Sequence, residues 1–88
     1  MSENGPDDLQ LGVRAFQKGQ YESAYNLLYK YADDGVARAQ MVIARLYYAG
    51  HGVAKDEEKY LYWLQKAAEN GDKSAKSQLK RIQGGRSK

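Results

Sequence analysis

The chain has 88 residues, a formal net charge of +3 and no cysteine. This length allows one small domain, and the missing cysteines exclude disulfides and thiolate metal sites. No apolar run approaches the roughly eighteen residues that a membrane-spanning helix needs, and the polar, acidic first eight residues do not resemble a secretory signal. We therefore expect a soluble, cytoplasmic protein.

The first half of the chain predicts three helices, each ended by a glycine. Asp7 or Asp8 is expected to cap the first helix, which runs to about residue 18. The second is predicted over 21–34 and the third over 37–49, both with apolar residues at helical spacing. The terminating glycines are Gly19, Gly35 and Gly50.

The second half predicts two more helices. Asp56 follows a glycine-containing loop and is expected to cap a fourth helix that ends at Gly71. Asp72 begins a fifth, and Gly84 and Gly85 are expected to release a basic tail after residue 83. No window alternates apolar and polar residues as a strand would, so the predicted fold class is all-α.

The chain also repeats itself at a spacing of thirty-six residues. The paired positions are Ala24 with Tyr60, Leu28 with Leu64, Ala32 with Ala68, Gly35 with Gly71, and Ala39 with Ala75. Four of these five pairs keep the residue type. Such a period is typical of stacked helical repeats, whose units cannot bury their apolar faces alone.

The stretch from Ala37 to Gly71 resembles a Sel-one-like repeat, a relative of the tetratricopeptide repeats. The matching positions are Ala39, Ile43, Tyr47, Gly50, Gly52, Val53, Asp56, Trp63, Ala67, Ala68 and Gly71. Residues 9–35 resemble a shorter unit, in which Gly19, Tyr21 and Ala24 form the tetratricopeptide pattern G-x-Y-x-x-A. Tyr60 departs from the family, which usually has alanine there.

The resemblance implies a short right-handed α-α superhelix (solenoid) of two antiparallel helix pairs plus a C-terminal capping helix. The units would cover about 7–35 and 37–71, with the cap at about 72–83, a flexible tail at 1–6 and a basic tail at 84–88. It also implies a protein-binding adaptor or scaffold, of the kind that in bacteria often acts as a regulator or assembly factor.

The sequence offers little for catalysis. His51 is the only histidine, and it lies between two glycines without a second metal ligand or a catalytic partner nearby. Glu57 and Glu58 lie at a helix start, where negative charge is favourable without an acid–base role. We therefore expect no enzyme activity, no cofactor, no metal and no small-molecule substrate.

The candidate partner-binding residues lie on the first helix of each unit and on the last helix. The family resemblance places these helices on the concave side, and the alignment puts Arg14, Arg45 and Arg81 at one repeat position. Arginines in such a row would suit an acidic or carboxylate-terminated segment of a protein or peptide. The predicted contact residues are Arg14, Gln17, Arg38, Met41, Arg45, Tyr48 and Arg81.

The sequence leaves two alternatives open. The basic residues of the last helix and tail could bind an anionic polymer such as nucleic acid, although no aromatic residue is interleaved with them. These residues are Lys73, Lys76, Lys80, Arg81, Arg86 and Lys88. The module could also assemble with its own kind, since Leu9, Leu11 and Val13 give the first helix no clearly polar outer face.

Overall fold

The computed structural model describes residues 6–86, with side chains from residue 8 to residue 84. Five α-helices and their connections make up this part of the chain, in which no strand occurs. The helices are α1 (Pro6–Gln17), α2 (Tyr21–Asp33), α3 (Ala37–Ala49), α4 (Glu57–Glu69) and α5 (Lys73–Arg86). The predicted all-α class and the five helices are thus confirmed.

The helix boundaries follow from local backbone chemistry. Asp56 caps α4 as predicted, because its carboxylate accepts a hydrogen bond from the Lys59 backbone N–H at 3.0 Å. Asp72 does the same for α5, accepting from the Ala75 N–H at 2.8 Å. Gly50 ends α3 with φ of 72°, a left-handed conformation that glycine adopts at little cost.

The loop between α3 and α4 is held against the start of α2. At Gly52, φ is 75°, and an added Cβ would lie 2.8 Å from the Tyr21 backbone carbon. The adjacent His51 ring stacks on the Tyr21 ring with centroids 4.3 Å apart. Only glycine allows this close approach, so the Gly50-His51-Gly52 sequence has a clear packing role.

Each helix packs against the next one along the chain, and α1 also contacts α3. The structure measures 52 × 25 × 18 Å along its principal axes. Helix α3 lies at the centre of the core and buries eight of its thirteen residues. Trp63 and Tyr60 of α4 are buried against this core.

One polar side chain is buried within the described core. The Gln40 Nε2 group donates a hydrogen bond to the Ala32 carbonyl at 2.8 Å, and its Oε1 accepts one from Asn70 Nδ2 at 3.0 Å. Gln40 therefore ties α3 to the ends of both α2 and α4. No local sequence pattern singles this residue out.

Two sequence predictions differ from the structure. Helix α5 continues through Gly84 to Arg86, so the predicted tail does not start at residue 84. Helix α1 begins at Pro6, so Asp8 lies inside it and pairs with Lys30 of α2 at 3.4 Å instead of capping it. The remaining parts of the two predicted tails, 1–5 and 87–88, lie outside the described residues.

No helix in the described part of the chain combines the length and the apolar character that crossing a membrane requires.

Candidate functional site

Four of the predicted contact residues form one stripe along α3. Arg38, Met41, Arg45 and Tyr48 are spaced three, four and three residues apart, which places them on the same side of the helix. The side chains of Arg38 and Arg45 are exposed, and the Tyr48 side chain is 59% exposed. Met41 is only 8% exposed and so presents little of its surface to a partner. It packs into the core at the base of the stripe.

A groove of about 520 Å³ opens between α3 and α5, which we call the α3/α5 groove. Its lining residues are Met41, Arg45, Tyr48, Tyr60, Lys73, Ser74, Ser77, Gln78 and Arg81. Met41 and Tyr60 are buried, and the Tyr48 ring lies 4.9 Å from the Tyr60 ring. The groove thus combines an apolar, aromatic part with three cations, and its described lining contains no carboxylate.

A second groove of about 340 Å³ lies between α1 and α3, which we call the α1/α3 groove. It is lined by Leu9, Gln10, Val13, Arg14, Gln17 and Arg38. Leu9 and Val13 are half-buried and pack against the core, whereas both arginines keep part of their surface in solvent. This lining again contains cations and no carboxylate among the described residues.

The two grooves open on the same side of the molecule, because the single stripe of α3 supplies residues to both. All seven predicted contact residues line one groove or the other. The predicted row of three arginines is nevertheless divided: Arg45 and Arg81 share the α3/α5 groove, while Arg14 lies beside Arg38 in the α1/α3 groove. The division arises because α3 lies between α1 and α5.

Neighbouring polar groups and rings position the side chains of the α3/α5 groove. The Arg81 Nη2 group donates a hydrogen bond to Gln78 Oε1 at 3.2 Å. The Lys55 ammonium lies 5.8 Å from the centre of the Tyr48 ring, within the range of a cation–π contact. These contacts favour defined orientations for an exposed guanidinium and an exposed ring.

The sequence analysis did not single out Gln78 or Tyr60 as contact residues of the α3/α5 groove. Gln78 lies three residues before Arg81, a predicted contact residue, so helical spacing alone could have found it. Tyr60 comes from α4 and was noted only as a departure from the family. Its place in the groove depends on how α4 packs beneath Tyr48, which no local pattern reveals.

Only some of the basic residues of the last helix line the α3/α5 groove. Lys73 and Arg81 line the α3/α5 groove, whereas Lys76 and Lys80 are exposed and do not line it. The Arg86 side chain and all of Lys88 lie outside what the structure describes. Within the described side chains, no group of three or more His, Cys, Asp or Glu residues could hold a metal ion.

Comparison of the chain with models of known families, with curated proteins and with solved structures finds no match.

Proposed function

We propose that this chain is a non-catalytic binding module that holds an acidic segment of a protein or peptide along its α1/α3/α5 face. The resemblance to Sel-one-like repeats is part of the proposal. In it, α1 with α2 and α3 with α4 form two repeat units, α5 is the cap, and the helix pairs stack as a short right-handed superhelix. The module would act as an adaptor or regulator in the cytoplasm.

The observation that carries the proposal is the charge of the two grooves. Their linings include Arg14, Arg38, Arg45, Lys73 and Arg81, and no Asp or Glu among the described residues. The formal net charge of the whole chain is only +3. Concentration of cations on one face therefore favours an anionic ligand on that face.

The chemistry of the lining favours a peptide over a simple ion. Arginine offers paired N–H donors that match a carboxylate, and such charge-assisted bonds are stronger than neutral ones. Tyr48 gives an exposed aromatic surface beside Arg45, and buried Met41 and Tyr60 extend the apolar area. A segment with alternating acidic and apolar side chains would satisfy both kinds of surface.

Binding of an anionic polymer by the last helix is a weaker explanation. Lys73, Lys76 and Lys80 are exposed and share one side of α5, but no aromatic residue of this helix lies among them for bases to stack on. The affinity for a polyanion would fall steeply with salt.

The test is a pair of charge reversals measured with one probe. We expect a fluorescein-labelled peptide rich in Glu, Asp and Leu to bind the wild-type chain in a fluorescence anisotropy titration. Arg45→Glu should lower the affinity by about tenfold or more, because it places a like charge against the ligand. Lys76→Glu makes the same change in net charge on an exposed residue outside the grooves and should leave the affinity within about twofold.

Circular dichroism establishes that both variants keep their helices. Equal weakening by the two reversals, with a steep salt dependence, would favour the anionic-polymer function instead. Binding that survives Arg45→Glu would refute the assignment of the groove. Sedimentation at several concentrations separates these outcomes from self-assembly.

A further inference from the structure

A separate groove of about 500 Å³ lies on the α2/α4 side and is built mainly from aromatic rings; we call it the aromatic groove. Its lining residues are Tyr25, Tyr29, Asp33, Tyr47, Glu58, Lys59, Tyr62 and Trp63. It shares no lining residue with the two basic grooves. A ligand of the aromatic groove is therefore independent of the proposed function.

Five of these rings form a continuous row from α3 across α2 to α4. The successive centroid distances are 5.9 Å for Tyr47–Tyr25, 5.5 Å for Tyr25–Tyr29, 6.0 Å for Tyr29–Trp63 and 5.0 Å for Trp63–Tyr62. Three of the four contacts are edge-to-face, an arrangement that aromatic pairs prefer. The rings therefore fix one another's orientation before any ligand arrives.

The inner end of the row is held by a hydrogen bond between the Tyr25 and Tyr47 hydroxyls at 2.9 Å. Burial raises the pKa of Tyr25 to about 12, and the hydrogen bond with Tyr47 adds to the effect. The Tyr25 hydroxyl is protonated at neutral pH, as an ordinary tyrosine is, and the hydrogen bond holds the two rings together there. A groove whose base is already ordered loses little conformational entropy when a ligand binds.

At the outer end, two tyrosines flank the buried indole. Tyr29 is 42% exposed and Tyr62 is 54% exposed, whereas Trp63 is 8% exposed. Each tyrosine contacts the Trp63 ring with its edge or face, so two aromatic ridges border a lower aromatic surface. Core packing accounts for Trp63, but it does not account for two large rings that remain half in solvent.

The charged residues of the aromatic groove determine which sign of charge the groove favours in a ligand. Asp33 and Glu58 are exposed and line it. Two lysines already make cation–π contacts with its rings. The Lys59 ammonium lies 5.7 Å from the centroid of the Tyr47 ring, and the Lys66 ammonium lies 5.5 Å from the centroid of the Tyr62 ring. The lining thus carries two carboxylates against the one ammonium of Lys59, a formal charge of −1 that favours a cationic side chain on the ligand.

We propose that the aromatic groove binds a proline-rich segment of a partner protein, in the polyproline II conformation, that carries an arginine or lysine beside its prolines. Aromatic ridges are the surface on which such segments dock, because proline rings pack against them and the extended helix is formed in advance. The backbone carbonyls of this helix have no internal partners, and tyrosine hydroxyls and the indole N–H are suitable donors. Asp33 or Glu58 would receive the cation.

A second copy of this chain does not fit the same site. The only proline in the sequence is Pro6, so the chain contains no proline-rich segment to offer. The ligand is therefore not a segment of these 88 residues.

The sole tryptophan of the chain lies in this groove and reports on its occupation. The probe is a fluorescein-labelled peptide of repeated Pro-Pro-Leu-Pro units with one Arg at its end. Unlabelled peptide should change Trp63 emission in a saturable way, and labelled peptide should give a matching anisotropy curve. A peptide with alanine in place of every proline should not bind.

Two exposed tyrosines give matched variants. Tyr62→Ala removes an outer ridge and should weaken the anisotropy-measured affinity by about tenfold or more, as expected for an aromatic anchor. Tyr48→Ala removes a ring of similar exposure from the α3/α5 groove and should leave the affinity within about twofold. Glu58→Gln should weaken binding only for the peptide that carries Arg.

Absence of saturable binding by the proline-rich peptide would overturn the proposal, as would equal binding of its alanine counterpart. Equal effects of Tyr62→Ala and Tyr48→Ala would also overturn it, because the site would then lie elsewhere. Failure here leaves the acidic-peptide titration unchanged, since that experiment uses a different probe and different residues.

Discussion

Gln40 shows how one buried polar residue can join three helices. It is 2% exposed, and its amide bonds to the Ala32 carbonyl and to the Asn70 side chain. A buried amide is costly unless both its ends find partners, and here both do. The two bonds fix how closely α2 and α4 approach α3. They therefore also help to position the helices that form the two basic grooves and the aromatic groove.

We expect Gln40→Leu to lower the free energy of unfolding by about 1–3 kcal/mol, because it removes both hydrogen bonds and leaves the Asn70 amide without this partner. Gln65→Leu is the matched control. Gln65 also bonds through its amide, to Glu69 at 3.3 Å, but on an exposed helix surface. The control should change the free energy by less than about 0.5 kcal/mol. Urea denaturation followed by circular dichroism measures both, and equal effects would show that the buried amide has no special role.

At the scale of the helices, two glycines inside helices have opposite roles. In α1, a Cβ on Gly12 would lie 2.5 Å from Leu28 Cγ, so this residue allows α1 and α2 to approach closely. In α5, a Cβ on Gly84 would meet no atom within 4 Å. The same substitution should therefore change stability in opposite directions at the two positions.

Gly12→Ala should destabilise the protein by about 1–3 kcal/mol, because α1 has to shift away from Leu28. Gly84→Ala should stabilise it by up to about 1 kcal/mol, because alanine favours the helix and fills open space. The thermal unfolding midpoints of the two variants give the comparison. A lower midpoint for Gly84→Ala would contradict the continuation of α5 through this residue.

At the scale of the whole molecule, burial is concentrated in the middle of the chain. Helix α3 buries eight residues, α4 five and α2 three. Helix α3 contacts α1, α2 and α4, whereas α5 packs mainly on α4. A chain of neighbouring helices with this distribution should open from its two ends first.

Native-state hydrogen exchange should therefore protect α3 amides most strongly and α1 and α5 amides least. The expected difference between α3 and α5 is on the order of 1–3 kcal/mol in opening free energy, because local opening lies below global unfolding. Exchange read out by nuclear magnetic resonance at each amide measures it. Uniform protection across all five helices would show that the molecule unfolds only as one unit.

The sequence by itself determined the secondary structure, because its signals act over short distances. Gly50 ended α3, Asp56 and Asp72 capped α4 and α5, and apolar residues at helical spacing indicated α2 and α3. The α3 stripe with Arg38, Arg45 and Tyr48 was likewise predictable, since residues three and four apart share a helix side. The predicted end of α5 was wrong because two consecutive glycines weaken a helix without always ending it.

Only the tertiary structure decided how residues of different helices combine into grooves. It separated Arg14 from Arg45 and Arg81, placed Tyr60 beneath Tyr48, and buried Met41. It also assembled the aromatic row, whose rings come from three helices and whose contacts join residues as far apart as Tyr29 and Trp63. Such features depend on the distances between helices, which packing of the whole core sets and no local pattern of residues encodes.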